Sequence, residues 1–251
     1  MNLIHCITNY VTVNDVANII LASKSSPVMS DDIDEVKEIQ SISSGLLINI
    51  GTLNKRTIES MFAACKQANK LKHPIVLDCV GNGASKLRTS TINKLLKEVK
   101  FDVIKGNASE ILTILKQDTK TSGVDSTINL DINCLVTCAK KLASKYHCVI
   151  AITGKVDVIS NNKKTYLCYN GSSKMGRITG CGCMLGGVIA SYVCSNLDNK
   201  LKATLDAITA FNIAGERADK QSKGLGSFHI NLINEMGNIK DIDIKKYAKV
   251  K

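Results

Sequence analysis

The sequence predicts an α/β fold in which a mostly parallel central sheet lies between two layers of helices. Short apolar runs of strand length alternate with segments whose apolar residues recur at helical spacing. The strand-like runs are continuously apolar and rich in β-branched residues, which is typical of strands buried on both faces. Because such alternation is characteristic of parallel strands joined by helices, we expect a three-layer sandwich.

Strand–helix units make up the predicted first half of the chain. Each strand is a short apolar run, and each helix has apolar residues three or four positions apart. In order, the strands and the helices that follow them are LIHCITN with VNDVANIILAS, GLLINI with TIESMFAACKQANKLK, PIVLDCV with RTSTINKLLKEVK, and FDVIKG with NASEILTIL. The polar segment KQDTKTSGVDSTINLD that follows is predicted to be a loop.

The second half of the chain begins with a predicted long helix through CLVTCAKKLASKY and a strand at CVIAITG. VDVISNN and KTYLCYN then form a predicted hairpin with its turn at Asn161, Asn162 and Lys163. From there the chain is predicted to be helical to its end, through MLGGVIASYVCS, LKATLDAITAFNIAGERADK and SFHINLINEM. No internal repeat or low-complexity linker interrupts the sequence, so we expect residues 1–251 to form a single domain.

The charge composition predicts a lysine-rich, solvated surface rather than a nucleic-acid site. The formal net charge is +11, but the lysines are spread along the chain, tryptophan is absent and aromatic residues make up 4%. Such a sequence offers few side chains on which bases could stack, so we expect no nucleic-acid partner. A lysine-rich surface would still attract an anionic substrate.

The apolar pattern and the cysteines indicate a cytoplasmic protein without a membrane segment. No stretch reaches the length of about 18 apolar residues that a membrane span needs, and MNLIHCITNY does not resemble a signal peptide. The ten cysteines lie scattered in apolar segments, as free thiols in a reduced interior do. The close pairs Cys134/Cys138 and Cys181/Cys183, with isolated histidines, do not predict a zinc cage.

Polar residues stand at the predicted carboxyl ends of three strands, where open parallel sheets collect their ligands. Asp78 ends one strand, Lys105 lies at the end of the next, and Thr153 with Gly154 ends a third. Plainer interpretations remain open. Asp78 could be a turn residue before glycines, and Asn107 with Glu110 could simply form a capping box on the helix that follows.

The segment Thr179–Cys183, TGCGC, precedes a helical pattern and is the strongest candidate for an anion site. Gly180 and Gly182 would let backbone N–H groups converge at a helix N-terminus, where the dipole favours an anion. A thiol at Cys183 in the first turn would be held closer to its thiolate form and could accept a proton. Alternatively, the glycines make a tight loop and Cys183 packs as a small apolar side chain.

Other phosphate-binding patterns fit less well. The P-loop pattern Gly-x-x-x-x-Gly-Lys-Ser/Thr does not occur in the sequence. The spacing of Gly180, Gly182 and Gly186 is similar to a dinucleotide loop, but it follows a hairpin rather than opening the first strand–helix unit. We therefore give more weight to a simple anion site at the helix start.

Ten motifs, taken together and in order, resemble the hydroxyethylthiazole kinase family, whose members have the ribokinase-like fold. The resemblance runs from about residue 4 to about residue 236. The motifs are HCITNYVTVNDVAN, SSPVM, INIGTL, VLDCVGNGASKLRT, VIKGNASEI, GVDS, AITGKVDVIS, TGCGC, AGERA and GSFHINLI.

The resemblance implies an activity and a set of site residues. The activity is ATP-dependent phosphorylation, with Mg²⁺, of the hydroxyl of 4-methyl-5-(2-hydroxyethyl)thiazole, in a homotrimer whose substrate pockets lie between subunits. The implied residues are Met29, Gly180, Asn9 and Val11 for the thiazole; Lys105, Thr153, Asn107 and Gly154 for ATP; Asp78 and Glu110 for the metal; and Cys183 with Gly180 and Gly182 for catalysis.

The sequence departs from the family pattern at four places. Cys79 replaces a usual proline, Cys181 replaces threonine or alanine, and GLGS replaces GPGS. Lys105 replaces a usual arginine, which exchanges a bidentate fork for a point charge. We expect phosphate binding to survive this change with less geometric definition.

Three alternatives remain open at this point. The acceptor could be another small heterocyclic alcohol, such as a pyrimidine or a pyridoxal-like compound, although a cysteine after Gly182 favours the thiazole branch. The same fold also hosts an ATP-dependent NAD(P)H-hydrate dehydratase. A non-catalytic basic binding protein is the third possibility, but it would give no reason for Asp78, Glu110 and Cys183 to stand at strand and helix ends.

Overall fold

A computed structural model describes residues 1–118 and 131–251, and in these ranges the chain forms one eight-stranded sheet. The strand order is β2-β1-β3-β4-β5-β6-β7-β8; β1 to β6 run parallel, and β7 and β8 are antiparallel to their neighbours. The strands are β1 (Leu3–Ile7), β2 (Ser26–Met29), β3 (Gly45–Asn49), β4 (Ile75–Asp78), β5 (Val103–Asn107), β6 (Val149–Thr153), β7 (Asp157–Ser160) and β8 (Thr165–Cys168).

Helices connect the parallel strands and cover both faces of the sheet. They are α1 (Val13–Ala22), α2 (Val36–Ile42), α3 (Lys55–Leu71), α4 (Lys86–Glu98), α5 (Ala108–Asp118), α6 (Ile132–Tyr146), α7 (Cys181–Ser195), α8 (Lys200–Gln221), α9 (Leu225–Asn238) and α10 (Asp241–Tyr247), with a 3₁₀ helix at Ser173–Arg177. The predicted three-layer sandwich with a mostly parallel sheet is therefore confirmed.

Two separate apolar cores lie on opposite faces of the sheet. Because successive side chains of a strand point to opposite faces, Leu47 belongs to the core under α1, α7, α8 and α9, whereas Leu46 and Ile48 belong to the core under α3 to α6. Strands that bury both faces need continuous apolar runs, which is why β3 reads GLLIN.

Helix α7 is buried along most of its length and packs between the sheet and α1 and α8. Gly186 and Gly187 permit this close approach. A Cβ at Gly186 would lie 3.3 Å from Leu47 Cδ1, and one at Gly187 would lie 2.9 Å from Ile20 Cγ1. The helix start is thereby fixed beside the carboxyl ends of the central strands.

The element predictions hold with three differences. The β7–β8 hairpin is confirmed, but the edge strand β2 and the short helix α2 were not predicted. Strand β2 is four residues long and contains Pro27, which is tolerated on a sheet edge and weakens the strand signal. The prediction that the chain is helical to its end is wrong. Val250, near the end of the chain, forms an antiparallel bridge with Cys168, the last residue of β8.

Further expectations concern thiols and membranes. All ten cysteines are free, and most of them are buried, as their apolar surroundings predicted. Among the described residues no helix has both the length and the apolar character that a bilayer span requires. The predicted loop lies in part, and the GVDS motif wholly, within residues 119–130, outside the described residues.

Candidate active site

The sheet register places polar residues of three neighbouring strands side by side. Asn49 on β3 pairs with Asp78 on β4, and Asp78 pairs with Lys105 on β5. These pairs stand at or near the carboxyl ends of their strands, where the chain turns to the next helix. The sequence predicted Asp78 and Lys105 here but did not single out Asn49.

Asp78 and Lys105 form a buried ion pair. Lys105 Nζ donates to Asp78 Oδ1 at 2.8 Å, and the two side chains are 3% and 0% exposed. Burial alone lowers the pKa of Lys105, but the Asp78 carboxylate overcomes this and raises the pKa above its ordinary value. Burial also raises the pKa of Asp78, and Lys105 acts against that shift. Lys105 therefore stays protonated at neutral pH.

A chain of amide hydrogen bonds links this ion pair to Cys183. Asn49 Nδ2 donates to Asp78 Oδ2 at 2.9 Å, and Asn9 Nδ2 lies 3.1 Å from Asn49 Oδ1. The same Asn9 Nδ2 lies 3.2 Å from Cys183 Sγ, to which it donates. Thr12 Oγ1 donates to Asn9 Oδ1 and fixes the amide in this orientation. The thiol of Cys183 thus sits in a fixed polar environment rather than in a purely apolar core.

The TGCGC segment forms the start of α7. Gly180 is the N-cap residue with φ +85°, a left-handed conformation that favours glycine, and Cys181 begins the helix. The first helical hydrogen bond runs from Met184 N to Gly180 O. The N–H groups of Cys181, Gly182 and Cys183 precede that bond and so have no partner within the helix. The predicted convergence of N–H groups at a helix start is present.

Lys105 ties the ion pair to this turn. Its Nζ also donates to Gly182 O at 2.8 Å. Two of its three N–H donors are therefore used within the protein. A phosphate-binding role for Lys105, which the resemblance implies, would use the remaining donor beside the turn and stays a prediction.

Glu110 and Asn107 form the capping box that the sequence left as an alternative. Glu110 Oε2 accepts from Asn107 N at 2.7 Å, and Asn107 Oδ1 accepts from Glu110 N at 3.0 Å. Glu110 Oε1 accepts from Gly81 N at 2.7 Å and so holds the loop after β4 as well. The carboxylate stays at the carboxyl edge of the sheet, close to the Asp78 and Lys105 pair.

Thr153 and Gly154 lie at the end of β6, beside the end of β5. Asn107 pairs with Thr153 in the sheet, and Thr153 Oγ1 lies 3.4 Å from Gly106 O. Gly154 N donates to Asp157 Oδ1 at 2.9 Å. The four residues predicted for ATP, which are Lys105, Asn107, Thr153 and Gly154, therefore lie at the ends of two adjacent strands.

A cavity of about 260 Å³ opens beside the ends of β1 and β2. Met29 lines it, together with Cys6, Thr8 and Val13. The hydroxyl of Thr8 is buried and has no hydrogen-bond partner among the described residues, so a ligand in this cavity could supply one. The volume is below the roughly 300–1,000 Å³ of drug-sized ligand pockets and suits a small heterocycle better than a nucleotide.

The other residues predicted for the thiazole do not line this cavity. Asn9 is buried and bonded to Cys183, Gly180 caps α7, and Val11 is 58% exposed on the surface. A second cavity, of about 460 Å³, lies near Tyr192 and contains none of the predicted residues. The residues predicted for catalysis and for ATP therefore lie together at the carboxyl edge of the sheet. Val11 lies on the surface and, unlike Met29, does not line the cavity beside β1 and β2.

Sequence reasoning missed two residues that hold the site together. Asn49 ends an apolar strand, as Asp78 does, and that shared signal could have identified it. Arg88 donates to the carbonyls of Ile50, Gly51 and Val80, and so holds the loops after β3 and β4 against α4. No local pattern marks Arg88, because its partners come from two other segments.

The substitutions Cys79 and Cys181 place buried thiols near the site. Burial raises the pKa of Cys181 to about 12 and that of Cys79 well above its ordinary value. Both thiols therefore stay protonated at neutral pH and behave as small apolar side chains.

The described residues fit a magnesium ion that arrives with a nucleotide, not one held in a protein cage. They bring no three metal-ligating side chains of histidine, cysteine, aspartate or glutamate together. Asp78 is fully buried and Glu110 is 9% exposed, and both oxygens of each carboxylate accept hydrogen bonds within the protein. Mg²⁺ is commonly held by substrate phosphates with only one or two carboxylates, which this arrangement can supply.

The layered architecture and the polar edge of the sheet define the class of protein. A ribokinase-like superfamily protein from Enterococcus faecalis superposes with a TM-score of 0.66 at 12% identity, over 94% of this chain and 86% of that one. At this identity the match shows the fold alone. The chain has the ribokinase-like fold, as the resemblance predicted.

The sequence comparisons narrow this class to one family. The model of the hydroxyethylthiazole kinase family matches residues 1–241. A hydroxyethylthiazole kinase from Clostridium acetobutylicum is 51% identical over 245 residues, which are 94% of this chain and 90% of that protein. The structure of a hydroxyethylthiazole kinase protein from Pyrococcus horikoshii superposes with a TM-score of 0.91 at 36% identity, covering 100% of this chain and 93% of that chain. The chain belongs to the hydroxyethylthiazole kinase family.

Proposed function

We propose that this protein transfers the γ-phosphoryl group of ATP to the hydroxyl of 4-methyl-5-(2-hydroxyethyl)thiazole. The observation that carries the proposal is the start of α7, where N–H groups without helical partners lie beside Cys183 and the Asp78–Lys105 pair. Family membership supports the acceptor alcohol. We further propose that the protein acts in the cytoplasm as a homotrimer, in which a neighbouring subunit would cover Tyr10 and Val11, 77% and 58% exposed.

In this proposal, the start of α7 stabilises the phosphoryl group while it is transferred from ATP to the alcohol. Phosphoryl transfer passes through a loose transition state, so catalysis requires positioning and neutralisation of charge more than covalent chemistry. The N–H groups of Cys181, Gly182 and Cys183 supply fixed dipoles, and the helix dipole adds to them. The protonated Lys105, held between Asp78 and Gly182 O, places an ammonium group beside the turn, and the Asp78 carboxylate offsets part of its charge.

Cys183, acting as a thiolate, is the proposed acceptor of the proton that the substrate hydroxyl loses, and it becomes the neutral thiol. Its sulfur lies in the first turn of α7 and receives a hydrogen bond from Asn9 Nδ2 at 3.2 Å. That bond fixes the direction of the sulfur lone pairs. A modest base is sufficient, because the transition state of phosphoryl transfer requires little help from a strong nucleophile.

The remaining residues have supporting roles in the proposal. Thr153, Gly154 and Asn107 contact ATP at the ends of β5 and β6, and Met29 contacts the thiazole in the cavity near β1. Glu110 would hold Mg²⁺ together with the phosphates, and the ion would supply charge neutralisation when bound. Asp78, which is fully buried, orients Lys105 and would act on the metal ion through its negative charge.

The proposed function is tested by a coupled assay of ATP consumption with a panel of alcohols. We expect turnover with the thiazole alcohol in the presence of Mg²⁺, and little with pyrimidine and pyridoxal-like alcohols. Identification of the phosphorylated product by mass spectrometry provides the control against simple ATP hydrolysis. A marked preference for another alcohol would replace the proposed acceptor, and consumption of ATP only with a hydrated nicotinamide nucleotide would indicate the dehydratase.

Cys183→Ala should retain the fold and lose turnover by roughly 10²- to 10⁴-fold, the range usual for removal of a general base. Cys183→Asp should recover much of that rate, because a carboxylate can accept the same proton. Cys181→Ala is the matched control, since that thiol stays protonated, and its rate should change little. Steady-state kinetics at saturating substrates measure the effect, and an unchanged rate for Cys183→Ala would refute the base assignment.

A further inference from the structure

Asp157, at the start of β7, is a buried carboxylate that the proposed reaction does not yet use. It is 5% exposed. Its Oδ1 accepts from Gly154 N at 2.9 Å, and its Oδ2 accepts from Asn212 Nδ2 at 2.7 Å. Asn212 lies on α8 and is itself buried. One carboxylate thus joins the turn after β6 to the helix that covers the sheet.

The surroundings of Asp157 make its ionisation sensitive to pH. Burial raises its pKa to about 6, although the two hydrogen bonds and the more distant Lys105 on β5 act against the shift. Cys168 on β8 also faces it, and burial together with Asp157 raises the pKa of that thiol, so the thiol stays neutral. Above pH 6 both oxygens of Asp157 can accept hydrogen bonds. As the pH falls through about 6, one oxygen gains a proton and becomes a poorer acceptor, so one of the two hydrogen bonds is weakened.

We propose that Asp157 is a positioning residue that fixes the Thr153–Gly154 turn in the conformation that receives ATP. The inference rests on the proposed function, because it takes this turn as part of the nucleotide site. Gly154 N is oriented by Asp157, and Asp157 is oriented by Asn212 in turn. Loss of the carboxylate therefore weakens ATP binding without removing any group that contacts the acceptor alcohol.

The test is direct titration of the protein with ATP, together with steady-state kinetics. Asp157→Asn removes the negative charge and turns one oxygen into an N–H donor, which faces another donor, at Gly154 or at Asn212, in the present side-chain orientations. We expect the dissociation constant and the KM for ATP to rise about tenfold, in line with the loss of a hydrogen bond to a charged group, while kcat changes little. In the double variant Asp157→Asn with Asn212→Asp, the new amide at position 157 can accept from Gly154 N and donate to the new carboxylate at position 212. This variant should therefore recover most of the ATP affinity.

A pH series provides a second readout. The wild-type KM for ATP should rise as the pH falls below about 6, and this rise should be smaller in Asp157→Asn, where the titration of the ATP phosphates remains but that of Asp157 does not. Asp102→Asn is the matched control, because Asp102 also accepts a backbone N–H and a side-chain N–H, from Ile75 and Lys200, away from the turn. Its substitution should reduce stability and leave ATP affinity unchanged.

The outcomes separate the inference from the proposed function. If Asp157→Asn lowers stability as Asp102→Asn does but binds ATP like the wild type, Asp157 has only a structural role and the inference is wrong. Failure of the double variant to recover affinity would also contradict it. If the wild type binds ATP but phosphorylates no thiazole alcohol, the proposed acceptor is wrong, whereas the effect of Asp157 on ATP binding is still decided by the titration.

Discussion

Asp78→Asn should lower kcat at saturating ATP and thiazole alcohol by about 100-fold or more, since small misplacements of catalytic groups have effects of that size. The substitution leaves the buried Lys105 ammonium without its counter-ion. Removing one partner of a buried pair typically reduces the free energy of unfolding by about 3–5 kcal/mol. Asn49 Nδ2 would then face a second N–H donor instead of Asp78 Oδ2, so the chain of bonds to Cys183 would also be disturbed.

Rate and stability must be measured separately to interpret this variant. Urea unfolding gives the free energy of unfolding, and kcat is normalised to the folded fraction. Glu98→Gln is the matched control, because Glu98 pairs with Lys66 at 3.2 Å on the exposed surface. An exposed pair contributes at most about 1 kcal/mol, so this control should keep both stability and rate. An Asp78→Asn enzyme with wild-type kcat per folded molecule would show that the ion pair does not position the turn.

Gly180→Ala should reduce kcat/KM for the thiazole alcohol by about 100-fold, through displacement of the groups around the α7 start. At φ +85° an alanine is strained, and its Cβ would lie 2.7 Å from Thr12 Cγ2. Thr12 holds Asn9, which in turn holds Cys183, so the shift needed to relieve the contact reaches the proposed base. We expect the free energy of unfolding to fall by about 1–3 kcal/mol, as for other residues in disfavoured conformations.

Gly226→Ala is the control for Gly180→Ala. Gly226 lies in α9, and a Cβ there would meet nothing within 4 Å. The helix propensity of alanine should make this variant neutral or more stable by up to about 1 kcal/mol, with unchanged kinetics. Thermal unfolding and steady-state kinetics of both variants provide the comparison. If Gly180→Ala is as active as Gly226→Ala, the conformation of the turn at the start of α7 is not required for phosphoryl transfer.

Much of the site was predictable because its residues stand at element ends that the sequence marks clearly. Asp78 and Lys105 follow continuous apolar runs, and the glycines of TGCGC precede a helical pattern. The capping box of Asn107 and Glu110 was also visible as a spacing of three. Each of these signals is local, since it depends on residues within one turn or one strand. Strand β2 was not predicted because it lacks such a local signal. It is an edge strand of only four residues, and it contains a proline.

The partners of those residues could not be read from the sequence. The bonds of Asn9 to Cys183, Arg88 to the carbonyls of Ile50 and Gly51, and Asp157 to Asn212 join segments that are far apart along the chain. They exist only after the strand order places β1, β3, β4 and β5 side by side and α7 packs across them. Residue types and periodicity give no information about such pairings.

By itself, then, the sequence determined the layers of the fold, the family and the types of chemical group at the strand ends, because apolar periodicity and local motifs are properties of neighbouring residues. The tertiary structure alone decided that Lys105 is held between Asp78 and Gly182 and that Asp78 is fully buried with both oxygens hydrogen-bonded. The physical reason is that burial and charge pairing depend on which segments pack together. Burial and charge pairing in turn determine the protonation state of each ionisable group and the partners that it can contact.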